Sequence, residues 1–277
     1  MTRKLLILFL FGVLSCCIYG QDSLAYKSKW QTKILVGTNI PITKLFQGAE
    51  TDYLLQYDDN SYYWQILSIS YFFHKHWGLE FNYQAGTSSK IKQRGNNFMT
   101  NMQSEYSDKY YVNPSTGVIY NNGFWGDVER GYLGVIYRFE TNNVYVYPKF
   151  AIGVTSFGAD WGRADLKEKN SNIEYSVLYL NAKRKNTGAL ATATDHFTIA
   201  PSVSFGYKLS KHFYLNADIM FSYYKTNIMY EKTTKNLYTN ETTVNYFDYK
   251  KSISTLGLGV GVIFIIHLNK KYNLTVF

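Results

Sequence analysis

The fold class this sequence predicts is all-β: an eight-stranded antiparallel up-and-down transmembrane β-barrel with long outer loops and short turns at the other end. Three observations predict it. Residues 196–226 read with period 2 as two strands about a tight turn, apolar and aromatic-ended on one face, small and polar on the other. Eight such strands can be traced, and their connections run long, short, long, short to the last. Aromatic residues collect at strand ends, which suits rings seeking the two headgroup layers of a bilayer.

Residues 1–20 stand apart. Arg3 and Lys4 precede an apolar run from Leu5 to Leu14, and the segment closes on Gly20. An apolar core this short reads as a secretory signal peptide and not as a membrane span. Residues 21–277 then form a single barrel domain. Cys16 and Cys17 are the only cysteines, so the exported chain has no disulfide or thiolate site. Val13-Leu14-Ser15-Cys16 loosely matches a lipoprotein cleavage box, with Leu14 an awkward fit, and leaves lipidation at Cys16 as an alternative.

The first strand alternates Trp30, Thr32, Ile34, Val36, Thr38 and Ile40 with Gln31, Lys33, Leu35, Gly37 and Asn39. A polar connection through Asp58-Asp59-Asn60 follows. The second strand, residues 62–73, alternates poorly because Gln65 interrupts the apolar register. His74-Lys75-His76 turns into a third strand carrying Trp77, Leu79, Phe81 and Tyr83. Residues 89–128 form a long polar excursion, in which a hairpin of 104–111 with 117–120 would raise the count to ten.

The fourth and fifth strands, 131–139 and 144–154, flank the turn Glu140-Thr141-Asn142-Asn143. A second excursion spans 159–195, the opening hairpin supplies strands six and seven, and a third excursion spans 227–249. The last strand, 253–268, alternates Leu256, Leu258, Val260, Val262 and Phe264 with Gly257, Gly259, Gly261, Ile263 and Ile265. The aromatics assigned to the short-turn belt include Trp30, Phe72, Phe73, Trp77, Tyr137, Tyr145, Tyr207 and Phe213. Those assigned to the other belt include Tyr62, Tyr63, Trp64, Tyr83, Tyr223 and Tyr224.

No apolar run beyond residue 20 reaches the length of a transmembrane helix, so the chain meets a membrane only as a closed barrel. A secreted lipocalin-type barrel is the alternative, with the two faces reversed. Removing residues 1–20 takes two cations and no anions, and the formal charge falls from +9 to +7. Export makes nucleic acid an unsuitable partner for that excess.

The run Pro201-x-Val203-x-Phe205-Gly206-Tyr207-Lys208-Leu209-Ser210-Lys211-His212-Phe213-Tyr214-Leu215, with the glycine-spaced last strand, resembles the small outer-membrane β-barrel proteins of Bacteroidetes-type bacteria. These are similar in architecture to OmpA and OmpX transmembrane domains. The resemblance covers nearly all of residues 27–268. It implies a barrel in the outer membrane of a Gram-negative cell. The expectation is a monomer among outer-membrane lipid and lipopolysaccharide, with a structural, adhesive or surface-binding role carried by its long loops toward an extracellular ligand. It also implies the alternative of a narrow gated pore. No peptidoglycan-binding domain of the OmpA kind is read in this sequence.

Inward positions hold Lys33, Glu80, Arg138, Lys149, Lys208 and Asp218. Charges inside so narrow a barrel must pair, and the expectation is a luminal plug with Glu80–Arg138 as its central pair. The loops carry a basic patch, Lys183-Arg184-Lys185, with Lys90, Lys92 and Arg94, suited to phosphates of surface lipopolysaccharide. No cofactor or metal is expected, since His74-x-His76 is only a two-ligand fragment. Catalysis is not expected either. His196-x-Thr198 at the outer rim is the one pair that a lipid A-modifying enzyme would use.

Overall fold

The computed structural model describes residues 29–43, 61–88, 91–113, 117–119, 128–157, 161–181 and 194–266. Eight strands close a ring: β1 (Trp30–Pro41), β2 (Ser61–Phe72), β3 (Trp77–Ser88), β6 (Val128–Tyr137), β8 (Val144–Phe157), β11 (Thr194–Lys208), β12 (Phe213–Asn236) and β13 (Thr242–Ile266). Every neighbouring pair is antiparallel. The ring shuts where β1 meets β13, in register from Trp30↔Ile266 to Pro41↔Thr255. Closure leaves no unpaired edge, a condition that any sheet crossing a bilayer must meet.

The two faces sort as period 2 dictates. Val36, Leu133, Phe150, Phe197, Leu215 and Val260 are exposed on the outer face, whereas Lys33, Glu80, Tyr132, Lys149 and Asp218 are buried in the lumen. An apolar surface of this extent around a polar interior is a barrel turned toward lipid. The reversed, lipocalin-type arrangement is overturned by this sorting.

The poor alternation of the second strand has a structural cause. A bulge between Gln65 and Leu67 inserts one residue and reverses the parity. Gln65 and Ser68 both point inward, while Leu67 and Ile69 point to lipid. The same parity corrects four belt assignments. Phe72, Tyr145, Tyr63 and Tyr224 are luminal and nearly fully buried, because each adjoins a residue that already takes the outer face. Trp30, Phe73, Trp77, Tyr207 and Phe213 at one end, and Tyr62 at the other, do face outward.

The long excursions are not simple loops. β12 and β13 run for 24 and 25 residues, about 80 Å at strand rise, against a hydrocarbon thickness of about 30 Å. Their pairing continues from Phe213↔Phe264 to Lys235↔Thr242, so much of residues 227–249 is the upper part of one hairpin. Its tip includes Asn240, at a φ of 61°.

Onto the raised part of β12 pairs β10 (Glu174–Asn181), and onto that β9 (Trp161–Glu168), a hairpin inside the second excursion. The short strands β4 (Tyr110–Val112) and β5 (Gly117–Ile119) both pair with β9. They do not form the hairpin with each other that would have made ten strands. A helix, α1 (Ile91–Tyr106), occupies the start of the first excursion. Phe98 and Met102 on α1 pack against Val128, Ala164, Leu166, Val177, Tyr179, Tyr224 and Ile253, a core distinct from the barrel's own. A two-residue strand, β7 (Phe139–Glu140), completes the set on β8. Among the described residues no helix is long and apolar enough to cross a membrane.

Candidate functional site

Four charges share one level of the lumen. Lys33 on β1, Glu80 on β3, Lys149 on β8 and Asp218 on β12 come from every second strand of the ring, with alternating sign. Strand tilt produces this, since side chains at one height in a tilted barrel come from alternate strands. Lys33 Nζ lies 2.7 Å from Asp218 Oδ2 and 3.7 Å from Glu80 Oε1. Lys149 Nζ lies 3.0 Å from Glu80 Oε1 and 3.5 Å from Asp218 Oδ2. The second carboxylate oxygens are also used: Ser70 Oγ donates to Glu80 Oε2 at 3.0 Å and Asn216 Nδ2 to Asp218 Oδ1 at 2.8 Å. All four side chains are buried, and the quartet is charge-neutral.

The expected Glu80–Arg138 pair is not what forms. Register sets Glu80 opposite Gly134, so Arg138 sits four residues nearer the turn, about 13 Å further down the strand. There Arg138 donates from Nε and Nη2 to the Lys75 carbonyl at 3.1 and 2.9 Å, and lies 4.0 Å over the Phe72 ring. It therefore ties the turn between β2 and β3 to the end of β6. Lys208 belongs to this lower level too, 2.7 Å from Glu140 Oε2 and 2.7 Å from the Thr141 carbonyl. Tyr147 donates to Glu140 Oε1. Phe72, Ile136, Tyr145, Tyr147, Tyr214, Ile263 and Ile265 fill the space around these groups. Glu140 and this aromatic stopper complete the plug; Lys33, read from the sequence as inward, takes its place in the quartet. Glu140 lies in a predicted turn, and only the continuation of inward parity past Arg138 signals its place.

The rim histidine does not face lipid. His196 is buried and stacked on Tyr224, with ring centroids 6.0 Å apart. Thr198 Oγ1 donates to Thr155 Oγ1 at 2.8 Å, also inside the lumen. A histidine–hydroxyl pair for lipid chemistry needs both groups on the bilayer face, and these occupy the opposite one. The basic run Lys183-Arg184-Lys185 lies outside the described residues. Among those described, Lys109, Lys167 and Lys169 are exposed around Tyr111, with Lys169 Nζ 5.5 Å from the ring centroid. Glu174 stands opposite Lys167 on the paired strand.

One cation fastens the helix to the raised sheet. Lys232 Nζ meets Glu105 Oε1 at 2.7 Å and lies 5.4 Å from both the Tyr106 and Tyr179 rings. Burial alone would lower its pKa, but the Glu105 carboxylate and Tyr106 hydroxyl outweigh it and the pKa is raised. A raised pKa means that the stabilisation is fully present below the unfolded value, about 10.4, and is lost as pH rises through the folded value. Lys232→Met should accordingly speed proteolysis at α1 at neutral pH while leaving the heat-resistant barrel intact. In the unsubstituted chain the same sensitivity should emerge only at strongly alkaline pH.

No family model matches this chain, and no curated protein matches it in sequence. Solved structures similar to it include Neisserial surface protein A, at 11% identity over 86% of this chain and 97% of that one, with a TM-score of 0.44. A major outer membrane protein from Thermus thermophilus is similar at 10% identity, over 85% and 99%, with a TM-score of 0.35. OprG from Pseudomonas aeruginosa is similar at 10%, over 88% and 98%, with a TM-score of 0.32. At these scores the likenesses carry no argument, and the fold rests on the closed ring and its sorted faces.

Proposed function

We propose that this chain is an integral outer-membrane β-barrel of the OmpA/OmpX-like kind, monomeric and non-catalytic, which holds a surface-binding module outside the cell. The observation that carries this reading is the raised β12–β13 hairpin. It bears a further sheet and a helix with a separate core, about 40 Å of strand beyond what a bilayer requires. A barrel serving only as a membrane staple needs no such structure. Below it, the charge quartet and the aromatic stopper fill the lumen, which supports a structural plug over a conducting pore. The exposed lysines around Tyr111 favour an anionic surface partner, such as the phosphates of lipopolysaccharide or of an acidic polysaccharide.

The test uses whole cells and purified protein together. Membrane-fraction protein should show heat-modifiable gel mobility and resist carbonate extraction; release into the soluble fraction would end the membrane reading. Cells carrying Lys109→Ala, Lys167→Ala and Lys169→Ala together should bind less fluorescent dextran sulfate than cells with the unsubstituted chain, at equal surface expression. Equal binding would remove the anionic partner. Discrete conductance steps in planar bilayers would favour the narrow-channel alternative.

A further inference from the structure

Above the neutral quartet the lumen carries a charge that the described residues do not balance. Arg130 on β6 points inward and is 3% exposed. Its Nε and Nη1 have no hydrogen-bond partner among the described residues, and it joins none of the ion pairs formed there. Lys33 and Lys149 are matched by Glu80 and Asp218, and Lys208 by Glu140. Arg130 has no such match among the described residues. A guanidinium cannot shed its proton to escape the cost of burial, so the charge persists.

Among the described residues its neighbours leave one amide donor spare, with Gln84 Oε1 and the Tyr132 hydroxyl also unpartnered, and none of them carries a charge to match the guanidinium. Cross-strand register places Gln65, Gln84, Arg130 and Thr155 in one row over β2, β3, β6 and β8. Gln84 Nε2 donates to Gln65 Oε1 at 3.3 Å, which leaves Gln65 Nε2 without an acceptor. If both amides are turned the other way, a donor is still left over, now on Gln84. The wall here is made of amides, hydroxyls and one thioether. The Phe98 and Met102 core includes Val128, two residues further out on β6, and Glu80 of the quartet lies four residues below Gln84 on β3. An unpaired buried charge is strongly unfavourable, and an anion accepting from Arg130 and the spare amide removes that penalty.

We propose that Arg130 is the centre of a small-anion site in the outer half of the lumen, which takes a monoanion of carboxylate or halide size. Thermal unfolding of the detergent-purified barrel tests it at constant ionic strength, as bulky gluconate is exchanged for formate or bromide. The unsubstituted chain should gain several degrees in midpoint, saturating with concentration. Arg130→Gln should not respond. A general salt effect would move both proteins equally, and that result, or no response in either, overturns the site. Should Arg130→Gln fail to fold, bromide-soaked crystals of the unsubstituted chain decide the matter. An anomalous peak in contact with the Arg130 guanidinium supports the site, and a lumen without one overturns it.

Discussion

Lys149→Met is expected to destabilise the barrel by about 3–5 kcal/mol in urea unfolding from detergent or liposomes. Removing this ammonium leaves Glu80 and Asp218 to share Lys33, whose distances to them are 3.7 and 2.7 Å. Two buried carboxylates would then face one cation inside the lumen. Much of the loss comes from that stranded charge and not from the deleted contact. Adding Glu80→Gln to Lys149→Met should therefore recover a large part of it, giving a strongly non-additive cycle. The cycle of Glu80→Gln with Arg138→Met should be additive to within about 0.5 kcal/mol, because Arg138 serves a different level of the lumen. Additivity in the first cycle would refute the quartet as an energetic unit.

Gly37→Val is expected to prevent or greatly slow recovery of the heat-resistant form on refolding. Gly37 on β1 pairs directly with Gly259 on β13, and the Tyr63 ring lies over both. A Cβ at Gly37 would collide with the Leu258 carbonyl and come within 2.7 Å of the Tyr63 ring. A Cβ at Gly259 would meet the Tyr63 hydroxyl at 2.5 Å. The ring can move only into a filled lumen, and the carbonyl can move only by opening the β1–β13 seam that closes the barrel. Overpacking of this kind costs about 1–3 kcal/mol where side chains can yield, and here one obstacle is backbone. Tyr63→Ala alongside Gly37→Val should restore part of the loss by freeing the ring. If Gly37→Val refolds at the ordinary rate and to the ordinary stability, the close approach has no energetic weight.

Several features were legible because they are local. Alternation of Phe197, Ile199, Val203 and Phe205 against Thr198, Ala200 and Ser204 shows on the page, and the structure places those sets on opposite faces. The tight turns at His74–His76, Thr141–Asn143 and Leu209–His212 carry their own polar residues and close by short backbone bonds. The helix was less visible. Gly95, Asn96 and Asn97 are poor helix formers, and only the four-residue spacing of Phe98, Met102 and Tyr106 hinted at a buried face. The raised parts of β12 and β13 looked like loop for another reason. Above the bilayer their outer face meets water, so the apolar half of the alternation disappears.

By itself, the sequence determined that the strands would have one apolar and one polar face, and which of their connections are short turns; that eight strands close the ring, with the apolar face outward, came from the tertiary structure. Period 2 and turn chemistry are properties of consecutive residues, and lipid demands them at every strand. Only the tertiary structure decided which charges meet. Glu80 reaches Lys149 and Lys33 across intervening strands because tilt and register bring alternate strands to one height. The same stagger puts Arg138 against a turn carbonyl and leaves Arg130 among amides. That height is a relation among strands distant in sequence, and neither composition nor periodicity records it.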